Sequence, residues 1–299
     1  MPDLVELVTA ALRNADESPW LPGLAVELAE RCWINLYNNM ELKPSEYGTV
    51  RVIARSRSAP RQIISVIPAA LCNRDPAAQV FQIEVLDQGT ARPYEESGVK
   101  FYSEDEIYEE KLAERIVQAV NILKGIPTLF MTVTALVRSI HLIDAGDDDY
   151  DVSFSEPHLP FSIFISVPRN DSPSSAIRIA EAIVHEAMHL QLTLVECVLP
   201  LVLYSGNKYY SPWKREHRTT QGVLHALYVF RVIDRFLEGL SLTPAMINNV
   251  GAYQHDRRIQ ISNELKRVKY FRSCSDLSQA GASLVHMLLS ETKPSTAGK

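Results

Sequence analysis

The chain has 299 residues, 46% of them hydrophobic, with 30 basic and 36 acidic side chains and a formal net charge of −6. That length supplies a core for one large domain or two small ones. The charges are interspersed, with no basic stripe for a nucleic-acid partner and no apolar run of roughly 18 residues to span a membrane. The segment Met1-Pro-Asp-Leu-Val-Glu-Leu has no basic region followed by an apolar one, so no signal peptide is expected. Four widely spaced cysteines, Cys32, Cys72, Cys197 and Cys274, form no C-x-x-C pair. They read as reduced core thiols of a cytoplasmic protein.

In chain order, residues 3–14 and 22–38 carry the apolar spacing of amphipathic helices. Arg51–Ser56, Gln62–Ile67 and Val80–Leu86 alternate or run apolar over strand length. Residues 87–100, rich in Gly, Pro and acids, read as a loop. Ser103-Glu-Asp-Glu then opens a helix expected to reach about Lys124, its first-turn acids complementing the dipole. From Thr128 to Val167 the chain is apolar and β-branched, interrupted by an acidic turn at Asp144–Asp151. Tyr150–Ser155 and Leu159–Val167 read as two strands. Helices are expected at about 219–239, 243–269 and 275–290.

The most informative stretch is His185-Glu186-Ala187-Met188-His189. Histidines at i and i+4 leave one face of a helix a turn apart, so two imidazoles can converge on one divalent cation. The flanks Ser174–Val184 and Leu190–Val195 are helical in pattern, and no Gly or Pro intervenes before Pro200. With 8 histidines in the chain, an accidental H-E-x-x-H is expected in roughly one or two such chains per hundred. A metal site is the better account. The two strands lie just upstream, and a strand beside such a helix can hold an extended peptide along its edge.

A catalytic metal usually takes a third protein ligand and keeps open positions. His225, in the apolar run Gly222-Val-Leu-His-Ala-Leu-Tyr-Val-Phe230, is the leading candidate, because an unpaired imidazole is costly to bury there. Glu216, His217 and Asp234 are alternatives. Glu196, two turns beyond His189, suits a supporting position behind a ligand. The link Tyr209–Arg218 combines three aromatics with Lys214, Arg215 and Arg218, and reads either as a loop covering the core or as a cationic pocket wall for a carboxylate.

Three ordered runs, V-H-E-A-M-H-L-Q-L-T-L, Y-Y-S-P-W-K-R-E-H-R and Q-G-V-L-H-A-L-Y-V-F, resemble the H-E-x-x-H proteins of ribosomal-peptide biosynthesis. Their stand-alone members are described as 2-oxoglutarate- and iron-dependent peptide β-hydroxylases. The upstream S-F-S-E-P-H-L-P-F-S-I-F-I-S-V-P is similar too, and the likeness covers roughly residues 138–240. Relatives tend to read P-W-R-x-x-x-R-P in the link; here Lys214 and Thr219 replace the first Arg and the Pro.

The resemblance implies an Fe(II)/2-oxoglutarate oxygenase that uses O2 to hydroxylate a side-chain β-carbon of a precursor peptide. His185, His189 and His225 would be the metal ligands. Arg218, with Lys214 in reserve, would bind the distal carboxylate of the co-substrate, and Glu186 would orient a ligand or a water. Two other functions stay open. One is a zinc peptidase with Glu186 as general base, although neither N-E-x-x-x-D nor H-x-x-G-x-x-H follows the motif. The other is a non-catalytic peptide-binding protein with a vestigial metal site. The expected fold is helix-rich α+β, with a zincin-like metal-bearing C-terminal part and a small sheet beside the motif helix. Residues 1–124 form an N-terminal α+β region of undefined role, 125–292 the catalytic domain, and 293–299 a disordered tail.

Overall fold

The computed structural model describes residues 3–13, 18–38, 63–65, 82–86, 88–137, 139–147, 150–156, 161–170, 172, 174–203, 206–240 and 244–290. Its helices are α1 (Leu4–Arg13), α2 (Pro22–Asn38), α3 (Gln88–Glu96), α4 (Glu104–Glu109), α5 (Leu112–Leu123), α6 (Pro127–Leu136), α7 (Ser175–Val198), α8 (Thr220–Gly239), α9 (Pro244–Arg267) and α10 (Gln279–Leu288). Strands β1 (Ile63–Ser65), β2 (Gln82–Glu84), β3 (Lys100–Phe101), β4 (Ser139–Asp144), β5 (Ser153–Ser155) and β6 (Ser162–Ser166) form one mixed sheet. β7 (Lys208–Ser211) and β8 (Glu216–Thr219) form a separate hairpin. The protein is helix-rich α+β, as its sequence predicts. Among the described residues no helix is long and apolar enough to cross a membrane.

The sheet runs β1-β2-β4-β6-β5, with β3 also paired to β4. β4 lies parallel to both β2 and β6. A central parallel strand covered on both faces reads as a continuous apolar run, and the five residues Ser-Ile-Phe-Ile-Ser of β6 are all buried. β5 pairs antiparallel with β6 at the end of this order and packs beside α7. That placement sets two serines of β5 against the motif helix.

α7 runs uninterrupted for 24 residues because neither Gly nor Pro occurs in it, and it stops just before Pro200. Its buried stripe, including Ile183, Val184, Ala187, Met188 and Leu192, faces α5 and the core. α8 packs on α7, and its Val223, Leu224, Leu227 and Val229 are fully buried in the core. One apolar cluster extends from Val8 to Leu289, with members on both sides of position 124. The turn before α2 is tied to α7 by polar bonds as well. Gln191 Nε2 donates to Trp20 O at 3.0 Å, and the Tyr228 hydroxyl lies 2.6 Å from Gln191 Oε1 and 2.9 Å from Pro19 O.

Several elements differ from the sequence reading. The loop expected at 87–100 contains α3, held by the Arg92–Glu96 pair one turn apart and by Tyr94 packing against Phe101, Phe154 and Phe164. The single helix expected from Ser103 is two, broken where Lys111 takes a left-handed φ of 55°. Its start is as expected, a capping box between Ser103 and Glu106. Thr128–Leu136 is helical, led by Pro127 in the first turn. The link before α8 is a β-hairpin. Cys197 is exposed and Cys274 half-buried, and both are free thiols, so Cys197 is not the core residue expected. The strand expected at 51–56, Cys72 and the tail at 293–299 lie outside the described residues.

Candidate metal centre

His185 and His189 leave the same face of α7, their ring centroids 4.9 Å apart. α8 brings His225 to them, with its Nδ1 3.2 Å from His189 Nδ1 and the two rings inclined by only 19°. The fully buried apolar residues of α8 fix its register and leave His225 at the α7-facing margin, with 13% of its side chain exposed. Behind it, Glu196 Oε2 lies 3.0 Å from His225 Nε2 and accepts from Gln221 Nε2 at 2.8 Å. A carboxylate acceptor at Nε2 suits the His225 tautomer with its proton there, which leaves the Nδ1 lone pair toward His189. Carboxylates play this supporting part behind metal-binding histidines.

Desolvation lowers the pKa of His185 to about 4, with Arg257 and Lys214 acting in the same direction. It lowers that of His189 to about 2, helped by the two other imidazoles and Lys214. Both rings are therefore neutral and offer lone pairs. Two nitrogens bound to one ion at 2.0–2.2 Å sit roughly 3.0–3.5 Å apart, and the 3.2 Å between His189 and His225 fits that separation. A divalent cation would take the place of the proton the two rings share. As they stand, the groups form a row, His185–His189–His225–Glu196. Among the described residues no three His, Cys, Asp or Glu side chains converge as a set that could hold a metal. The donor chemistry fits a metal, and His185 would complete the set by turning its ring toward the pair.

Glu186 is 2% exposed. Ser153 Oγ donates to its Oε1 at 2.7 Å, and Ser155 hydrogen-bonds the same carboxyl. Burial pushes its pKa up to about 7 against the opposing pull of these hydroxyls and Lys214. Its Oε1 lies 3.8 Å from His185 Nε2. Phe230 meets His185 edge-to-face at 5.5 Å and stacks on Trp213 at 5.2 Å. The Arg257 guanidinium lies 5.5 Å over Phe230 and is bound to Glu181, one turn before His185. Tyr253 holds the other oxygen of Glu181 at 2.8 Å.

Of the remaining residues singled out in the sequence, Lys214 is the one whose charge acts on His185, Glu186 and His189 alike. Arg218 stands on the exposed strand β8, 3.3 Å from Glu216, and is not among the charges acting on those three groups. His217 is exposed and packs on Tyr210, while Asp234 pairs with Arg231 and Arg258. None of Glu216, His217 and Asp234 touches the histidine row. Sequence reasoning missed Arg257, Glu181 and the two serines. Glu181 carried a signal, a carboxylate on the apolar side of α7 four residues before His185, which demands a buried cation. Set beside known proteins, the chain matches no family model and no curated protein.

Proposed function

We propose that this cluster is the metal centre of an Fe(II)- and 2-oxoglutarate-dependent oxygenase that hydroxylates a side-chain β-carbon of a ribosomally made precursor peptide. One observation carries the reading: a histidine from a second helix sits 3.2 Å from the second motif histidine, backed by a carboxylate. His185, His189 and His225 would hold the iron, which when bound supplies activation of O2 by the 2-oxo acid. The balanced outcome of the class is one peptide C–H converted to C–OH, with 2-oxoglutarate and O2 giving succinate and CO2.

The chain's own residues then divide the remaining work. Lys214 supplies the positive charge facing the distal carboxylate of the co-substrate, ahead of Arg218. Glu186, held by Ser153 and Ser155, orients the His185 side of the site. Phe230, stacked on Trp213, makes an aromatic wall against His185.

A zinc peptidase is the second reading, favoured by Glu186 lying 3.8 Å from His185 Nε2 with its pKa near 7, where a general base works best. Anaerobic reconstitution with Fe(II) separates the two. A visible charge-transfer band on adding 2-oxoglutarate is the expected result. Its absence in iron-loaded protein, together with zinc-dependent cleavage of peptides, overturns the oxygenase.

A further inference from the structure

Away from the histidine row, a cavity of about 800 Å3 opens between α8, α9 and the end of α10. Four cations line it, Arg231, Arg258, Lys266 and Lys269, against the single carboxylate of Asp234. The chain as a whole carries −6, so this concentration of positive charge opposes the balance of the molecule. Arg231 and Arg258 are partly committed. Arg231 donates to Leu288 O and Asp234, and Arg258 to Glu238. Lys266 and Lys269 are exposed, and Lys269 has an interaction of its own as well.

The shape narrows the ligand. One stripe of α9, from Gly251 to Lys266, lines the cavity, a rise of roughly 22 Å at 1.5 Å per residue. Arg258 and Lys266 are eight positions apart on it, about 12 Å, so one small dianion cannot reach both. Between them Ile259 leaves 48% of its surface exposed, and Leu265 and Leu289 add apolar lining. An extended chain advances about 3.3 Å per residue, so some six or seven residues would fill the groove. We propose that this groove binds an acidic peptide segment with interspersed apolar side chains, its carboxylates meeting Lys266, Lys269 and Arg258 while an apolar residue covers Ile259. Charge complementarity of this kind sets specificity and encounter rate. The site is independent of the metal centre.

The test uses the full chain without added metal and a fluorescein-labelled peptide alternating Glu and Leu, about seven residues long. Anisotropy should report saturable binding that weakens with salt. The Lys266→Glu/Lys269→Glu variant should bind roughly tenfold or more weakly. The Lys100→Glu/Lys124→Glu variant, with the same change in net charge on residues outside the groove, should bind as the parent does. Melting temperatures verify that both variants fold. No binding by the parent, or equal losses in the two variants, overturns the proposal. Inorganic pyrophosphate displacing the peptide at lower concentration than unlabelled peptide does would reassign the groove to small anions and overturn it equally.

Discussion

His189 Nδ1 and His225 Nδ1 approach to 3.2 Å from different helices, while the far nitrogen of His225 is held by Glu196. Under the metal-site reading His225→Ala leaves two imidazoles on α7. Metal should then bind weakly and be lost on dialysis. Glu196→Gln keeps the ligand but weakens its orientation, and should lower metal affinity roughly 10–100-fold. Metal content by atomic emission and affinity by chelator competition check both. Stoichiometric retention in His225→Ala would remove His225 from the set.

Lys214 and Arg218 make opposite predictions. Lys214 acts electrostatically on three site groups, whereas Arg218 is on the outer strand of the hairpin beside Glu216. Lys214→Ala should raise the 2-oxoglutarate concentration needed for half-saturation about tenfold or more, with metal content unchanged. Arg218→Ala should change it little, since an exposed ion pair contributes only about 0–1 kcal/mol. The reverse ranking in a titration of the charge-transfer band would return the role to Arg218.

What the sequence made legible follows from periodicity. His225 and Glu196 lie on long helices whose apolar spacing fixes their faces, so spacing predicts their place beside His189. The hairpin β7–β8 carries no strand signal in the sequence, because its second strand, Glu-His-Arg-Thr, is exposed throughout and shows no alternation. Ser153 and Ser155 belong to a three-residue strand, too short for a pattern to identify what faces α7. Arg257 sits on the polar helix α9, where one arginine among several carries no mark of its contact with Glu181. Contacts between distant elements, one short and one unpatterned, are what the sequence left unread.

Gly281 opens α10 where a Cβ would come 2.0 Å from Leu201 O, a backbone atom that cannot step aside. Leu201 O also accepts from Ser278 N at 2.9 Å, and Val202 bridges to Leu277, so the two segments are locked together. The same region supplies Asp276, which accepts from Thr220 at the start of α8. Gly281→Ala should cost roughly 1–3 kcal/mol or more in denaturant unfolding. Gly206→Ala, with nothing within 4 Å, should stay within about 0.5 kcal/mol of the parent.

Glu186→Gln tests the buried carboxyl in two independent ways. In the fold its pKa is about 7, against an ordinary value of 4.5, chiefly because burial disfavours the charge. The folded state therefore keeps a proton that the unfolded state releases between those values. The stabilisation is fully present below pH 4.5 and is lost as pH rises through 7. The gap corresponds to about 3 kcal/mol, as an order of magnitude. Glutamine is neutral at every pH, fills the same volume and still accepts from Ser153. With EDTA present, the variant should melt close to the parent near pH 4.5, increasingly above it as the pH rises to 7, and by a constant margin beyond. A melting difference that does not vary with pH would show that the carboxyl titrates normally. Loaded with Fe(II), the same variant should keep the 2-oxoglutarate band and lose hydroxylation only partly, since on the oxygenase reading Glu186 orients and does not accept the reaction's proton. A general base would behave otherwise: its removal costs about two to four orders of magnitude in rate. Intact chelation combined with peptide cleavage abolished from an active parent would transfer the protein to the peptidases.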